Sequence, residues 1–152
     1  MRVLMVCLGN ICRSPMAEYV LRHLAQREGM ADEVSVDSAA TSRYQIGETP
    51  HMGTRRVLAA HKVHCGSHRA RQLTKSDYGR YDLIVGMDEE NRYDILHILG
   101  SDPLGKVHLL LDWSEHPRDI ADPWYTGDFE TTYADVLEGC EALIACLREG
   151  RV

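Results

Sequence analysis

The feature that most limits how this chain folds is the apolar run Val3-Leu4-Met5-Val6, followed at once by Cys7-Leu8-Gly9-Asn10-Ile11-Cys12-Arg13-Ser14-Pro15. Four consecutive apolar residues that end at a glycine-containing loop read as a strand buried on both faces, the pattern of a parallel sheet. Ser14-Pro15 is a helix-start signal with proline suited to the first helical position. Ala17, Val20, Leu21, Leu24 and Ala25 then recur at helical spacing until Gly29. Strand, short loop and helix in one run open a βαβ unit, which requires a further parallel strand to pair with the first.

Such strands follow. Val34-Ser35-Val36 reads as a second strand, leading to Ser38 and a polar loop through about Pro50, and a helix is expected over roughly 51–61. Asp82 to Gly86 is a third buried strand, Glu89 to Leu99 a helix with Ile95, Leu96, Ile98 and Leu99 on its apolar side, and Val107 to Leu111 the fourth strand. A long loop containing Asp122-Pro123-Trp124-Tyr125 precedes a last helix. Its apolar stripe is Tyr133, Val136, Leu137, Cys140, Leu143 or Ile144, and Leu147. No repeat or low-complexity linker interrupts the 152 residues, a length that supports one ordinary core. The expectation is a single domain over 1–152: an α/β, doubly wound, four-stranded parallel sheet with helices on both faces. Any ligand is expected at the carboxyl ends of the strands.

Composition narrows the function. Hydrophobic residues at 44% and charged ones at 26% exclude collagen-like, disordered and membrane-embedded chains. A net charge of −6 counts against nucleic acid as a partner. The charge is uneven, because residues 51–75 hold six basic residues and no acidic one, along with His51, His61, His64 and His68. That stretch reads mainly as solvated surface. Five cysteines, an odd number, and no apolar segment long enough for a signal peptide or membrane span point to a reducing, cytoplasmic setting with no membrane insertion. Cys-x-x-Cys pairs and paired histidine ligands are absent, so no metal and no cofactor are expected.

The chemistry concentrates where the first strand ends. Cys7 precedes Arg13 by six positions, a spacing that Cys65 and Arg71 share, but only the first pair lies between a buried strand and a helix start. Successive N–H groups of a tight loop at a helix N-terminus form an anion nest, and the helix dipole adds positive potential. Arg13 can offer a bidentate fork to two phosphate oxygens, and the same field favours the thiolate form of Cys7, the form that acts as a nucleophile. A thiolate attacking phosphorus needs an acid for the leaving oxygen and later a base for water. One carboxylate serves both steps, and Asp122, fixed by Pro123 beside two aromatic residues, is the candidate.

The segment from Val6 to Glu18, Val6-Cys7-Leu8-Gly9-Asn10-Ile11-Cys12-Arg13-Ser14-Pro15-Met16-Ala17-Glu18, resembles the signature of the low-molecular-weight protein tyrosine phosphatases. The resemblance extends over nearly the whole chain, through Val36 to Ser42, Arg69 to Thr74, Gly86 to Glu89 and the Asp122 to Tyr125 loop. It implies a flavodoxin-like fold and phosphotyrosine proteins as substrates, with inorganic phosphate as product. By this resemblance Cys7 is the nucleophile, Arg13 binds the phosphoryl group and Asp122 is general acid, then base. Leu8, Gly9, Asn10, Ile11, Cys12 and Ser14 build the phosphate loop, in which Asn10 holds the shape and Ser14 bonds the thiolate. Ser38 and His68 match the supporting network.

Within the family, Thr after the loop Asn goes with phosphoarginine phosphatases and Ile with tyrosine phosphatases, so Ile11 implies phosphotyrosine. Tyr44, Trp124 and Tyr125 are the implied aromatic walls, a slot too deep for phosphoserine. The related arsenate reductases need two further cysteines, and Leu83 to Leu99 contains none. Cys12 occupies the position from which family members capture an oxidised nucleophile as a reversible disulfide.

Overall fold

The computed structural model describes residues 1–152, and its sheet is built around the first apolar run. β1 spans Arg2–Cys7, with β2 (Ser35–Ala40) on one side and β3 (Leu83–Gly86) on the other; β4 (Val107–Leu109) is at the far edge. The order is β2-β1-β3-β4, and every pairing is parallel. Side chains alternate across β1, as the pleat requires. Val3, Met5 and Cys7 enter the larger core with helices α1 (Arg13–Arg27) and α6 (Phe129–Arg148). Leu4 and Val6 enter the smaller one, with Ile84 and with Ile95 and Leu99 of α4 (Glu89–Leu99). Helices cover both faces, as expected for strands apolar on both sides. Because the chain moves to one side of β1 for β2 and to the other for β3, the loop leaving β1 lies at the topological switch point.

Several boundaries differ from the sequence reading, each for a local reason. α1 begins at Arg13, so Pro15 is its third residue and not its first. The first-turn N–H groups have no partner inside a helix, so proline is tolerated there too. Ser38 lies inside β2, not in the loop beyond it. Its buried hydroxyl donates to Glu18 Oε1 at 2.5 Å, which removes the cost of burying it. β4 ends at Leu109 instead of Leu111, because Asp112 Oδ2 accepts the Leu109 N–H at 2.9 Å and turns the chain into a 3-10 helix over Leu110–Trp113. On α4, Ile95 and Leu99 are buried but Leu96 turns to solvent, since adjacent helical residues point about 100° apart.

α2 occupies Met52–Ala60, and short helices form at Asp77–Arg80 (α3) and Pro123–Thr126 (α5). No helix is long and apolar enough to cross a membrane.

The last helix packs unusually close to the 3-10 turn. A Cβ on Gly139, in mid-α6, would lie 2.5 Å from Leu110 Cγ and 3.1 Å from the Leu110 carbonyl oxygen. On an open helix, Gly139→Ala would gain about 1 kcal/mol. Here overpacking against a fully buried leucine outweighs the gain, and Gly139→Ala is expected to destabilise the protein by about 1–2 kcal/mol. Urea unfolding of the two proteins measures the sign.

Candidate active site

Residues 7–14 wrap from the end of β1 into α1, and their conformation depends on Asn10. Asn10 holds a left-handed backbone with φ 59°, which Asn tolerates better than most residues, and it is buried. Its Oδ1 accepts the His68 Nε2–H at 2.8 Å and the Arg71 backbone N–H at 3.2 Å. An amide oxygen only accepts, so His68 Nε2 carries the proton. The Asn10 amide in turn donates to Ser14 Oγ at 2.7 Å, and Ser14 Oγ lies 3.1 Å from Cys7 Sγ. Ser14 Oγ, already accepting from Asn10, also lies 3.5 Å from the Ala39 carbonyl, so its hydroxyl proton has two acceptors within reach, that carbonyl and the sulfur. The backbone N–H groups of Asn10 (3.3 Å) and Ser14 (3.4 Å) also point at Cys7 Sγ, so donors converge on this atom.

Arg13 is 2% exposed. Its Nη1 donates to Asp88 Oδ2 at 2.6 Å and to the Ile120 carbonyl at 2.8 Å, while Nη2 reaches Asp122 Oδ2 at 3.4 Å. Burial pulls the guanidinium down, but Cys7, Asp88 and Asp122 outweigh it and hold Arg13 above its ordinary pKa. Its buried Nε–H has no hydrogen-bond partner in the protein. Asp88 is doubly used, since its Oδ1 caps α4 by accepting the Asn91 N–H at 2.7 Å. Asp122 caps α5 in the same way, with Oδ1 on the Trp124 N–H at 3.0 Å, which leaves Oδ2 turned to Arg13.

Cys7, Leu8, Gly9, Ile11 and Cys12 form one side of a pocket of about 220 Å³, completed by Asp122, Tyr44, Trp124 and Tyr125 together with Ser42 and Gln45. Tyr44 and Tyr125 stand 87% and 75% exposed and Trp124 54% exposed, so they form a rim instead of joining the core. Cys12 is a buried neighbour of a different kind. Burial, and then the negative charges of Cys7 and Asp122, push its thiol up to about 12, so it is protonated at neutral pH.

The structure brings the lining residues named from the sequence around one pocket, with Asn10, Arg13 and Ser14 bonded beneath them. His68 contacts the loop directly through Asn10, whereas Ser38 reaches the network only through Glu18. Glu18, Asp37 and His68 bring their ligand atoms within 4.8 Å of one another, with Arg22 and Ser38 donating to Glu18 and Tyr81 to Asp37. The reading missed Asp88, Glu18, Ser42 and Gln45 as site residues. Asp88 carried a signal, because an Asp directly before a helical pattern is an N-cap, but its second oxygen serves Arg13, 75 residues away. The 51–75 segment is mainly exposed or half-buried, as expected, but residues besides His68 also serve the structure. His51 caps α2 and contacts Trp124, and Arg71 pairs with the fully buried Asp77.

Fold and site together define a flavodoxin-like α/β protein whose pocket floor is a cysteine- and arginine-containing loop at the switch point. A family model for low molecular weight phosphotyrosine protein phosphatases matches residues 2–152. The low molecular weight protein-tyrosine-phosphatase YfkJ of Bacillus subtilis is 38% identical over 149 residues, covering 97% of this chain and 96% of that protein. The low molecular weight phosphotyrosine protein phosphatase of Homo sapiens is 40% identical over 147 residues, covering 93% and 92%. The YfkJ crystal structure superposes with a TM-score of 0.96 at 37% identity, covering 100% of this chain and 97% of that one. A Drosophila arginine phosphatase superposes with a TM-score of 0.89 at 29% identity, covering 97% and 98%. The chain belongs to the low molecular weight phosphotyrosine protein phosphatase family.

The Arg13–Asp88 pair can be tested without any substrate. Asp88→Asn keeps a cap for α4 but removes the charge opposite a buried guanidinium, and is expected to cost about 2–3 kcal/mol in urea unfolding. Asp88→Ala is expected to lose about 1 kcal/mol more, because the cap goes as well.

Proposed function

We propose that the protein hydrolyses phosphotyrosine, and small aryl phosphates, through a phosphocysteine on Cys7. The observation that carries this reading is the convergence of N–H donors on Cys7 Sγ beside a buried guanidinium whose Nε–H has no partner in the protein. A sulfur toward which several donors converge suits a nucleophile, and an unpartnered N–H on a buried guanidinium suits a phosphate oxygen.

The steps balance as follows. Cys7 Sγ attacks phosphorus, an S–P bond forms, and the P–O bond to the phenol breaks while Asp122 gives its proton to the departing oxygen. Arg13 and the loop N–H groups hold the equatorial oxygens as charge redistributes. Water then attacks phosphorus, Asp122 takes a proton from it, the S–P bond breaks, and inorganic phosphate leaves with the thiolate restored. When phosphate occupies the Arg13 fork, the 3.4 Å contact from Arg13 to Asp122 Oδ2 is the weaker of its two carboxylate contacts and is the one given up. That turns Oδ2 toward the leaving group. Leu8, Gly9, Ile11 and Cys12 contribute the lining of the phosphate loop, and Ser14 donates to the sulfur. His68 secures Asn10, and Ser38 braces this network through Glu18. Tyr44, Trp124 and Tyr125 flank the aryl ring.

The fold alone does not select the substrate, since an arginine phosphatase shares it. Ile11 favours phosphotyrosine, because this buried side chain lines the pocket and gives a phenyl ring an apolar surface. We assign the reaction to the cytoplasm as a single-domain enzyme needing no cofactor, with all five cysteines as free thiols.

Cys7→Ser is expected to abolish turnover of 4-nitrophenyl phosphate while still binding inorganic phosphate; normal turnover would overturn the mechanism. Asp122→Ala is expected to slow release of phenols of high pKa by about 10²–10⁴-fold, and nitrophenol least. Assayed side by side, phosphotyrosine is expected to be preferred over phosphoarginine, with Ile11→Thr narrowing the gap. A parent preference for phosphoarginine would refute the substrate assignment.

A further inference from the structure

His51 takes no part in the mechanism above, yet it makes four contacts in and beside the site. Its backbone N–H donates to the Ile11 carbonyl in the loop at 2.8 Å. Its Nδ1 accepts the Gly53 N–H at 2.9 Å as the cap of α2. Because Nδ1 accepts, the neutral ring carries its proton on Nε2, and the cap bond fixes the plane of the imidazole. That ring stacks on Phe129 (centroids 5.1 Å, planes 18° apart) and meets Trp124 edge-on (5.8 Å, 79°). Phe129 is itself held firmly. It opens α6 and lies so close over Gly53 that a Cβ there would come within 2.4 Å of its ring.

The three rings form a series from a fixed phenylalanine, through a fixed imidazole, to an indole on the pocket rim. A cap alone explains none of this. Asn, Asp, Ser and Thr are the favoured N-cap residues, and any of them would satisfy the Gly53 N–H without reaching Trp124. What histidine adds is a flat ring held at one angle.

We propose that His51 is a positioning residue that holds Trp124 as a wall of the pocket and so strengthens binding of aromatic phosphate esters; this rests on the phosphotyrosine reading. The wall acts on the aryl group and not on the phosphoryl group, which the loop and Arg13 hold. A change at His51 should therefore separate two constants that a general disturbance of the site would move together. Offset and edge-to-face aromatic pairs are weak individually, so the effect is expected to be about three- to ten-fold.

The experiment compares parent, His51→Asn and His51→Phe in kcat and KM for 4-nitrophenyl phosphate and a phosphotyrosine peptide, and in Ki for inorganic phosphate. His51→Asn keeps a cap acceptor and removes the ring. It is expected to raise both KM values about three- to ten-fold, with kcat and the phosphate Ki within about twofold of the parent. His51→Phe keeps a ring and loses the cap. It is expected to melt at a lower temperature but to restore KM to within about twofold. In a Trp113→Phe background, where Trp124 is the only tryptophan, His51→Asn is expected to shift the emission to longer wavelength as the indole loosens. Unchanged KM in folded His51→Asn, a phosphate Ki rising in step with KM, or a folded His51→Phe that fails to restore KM each overturns the proposal. A parent that turns over neither substrate overturns the phosphotyrosine reading itself.

Discussion

A guanidinium removed from water is expensive unless its donors are satisfied and its charge is matched, and Arg13 is almost wholly buried. Much of the site follows from meeting that demand. Asp88 is drawn in from the start of α4, the Ile120 carbonyl from the segment before α5, and Asp122 from the α5 cap, so three separate stretches of chain converge on one side chain. The two carboxylates serve a second purpose by capping helices with their other oxygens. Each is therefore held from both ends, and Arg13 is aimed without depending on a flexible partner. The buried Nε–H of Arg13 is left without a partner in the protein. An anchored guanidinium that keeps an N–H without a protein partner is what the proposed phosphate-binding role of Arg13 rests on.

The loop shape has an independent support. Asn10 adopts its left-handed backbone because His68 Nε2–H and the Arg71 N–H fix its oxygen. Each of these is anchored in turn. The His68 backbone N–H donates to the Tyr19 hydroxyl at 3.0 Å. The Arg71 guanidinium grips Asp77 at 3.1 and 3.2 Å, and buried Asp77 also accepts the Thr74 N–H at 2.8 Å. Tyr81 links Arg71 to Asp37, closing a polar circuit along the 68–81 segment that ends at the thiol through Asn10 and Ser14. Such a network is worth having only when every member is satisfied, since a single orphan in it costs more than an apolar replacement would.

These two supports differ in how far they could be read from the residues. β1, the loop and α1 were legible because one continuous segment carries a two-face-buried strand, a glycine-containing turn and a helical stripe. The α4 boundaries emerged at Glu89 and Leu99 because a cap and a C-terminal glycine bracket the pattern. Asp122 was legible as a candidate from Asp-Pro and its aromatic neighbours, and its role came from resemblance. What stayed hidden was long-range pairing of polar groups. Nothing local to Asp88 says that its second oxygen meets Arg13, nothing local to Ser38 says that a buried Glu18 holds its hydroxyl inside a strand, and β4 stops two residues early because of one side-chain acceptor, Asp112. Apolar periodicity reports burial, whereas the partner of a buried polar atom is a property of the assembled fold.

Charge shows the same division between local and global. The total of −6 argues against polyanions, whereas the proposed phosphate site depends on groups within a few ångströms: the loop N–H groups, the start of α1 and Arg13. The acidic residues nearest that field, Asp88 and Asp122, are spent on Arg13 and on helix caps. The basic 51–75 segment, which first resembles an anion site, contributes little charge to it. Its contributions to the pocket are the Nε2–H of His68 and the backbone N–H of Arg71 on Asn10, and the ring of His51 against Trp124. A segment that looks electrostatic in composition thus acts through hydrogen-bond direction and ring geometry. On the function proposed above, affinity for a phosphate monoester rests on a handful of oriented donors, and the choice among esters on the aromatic rim above them.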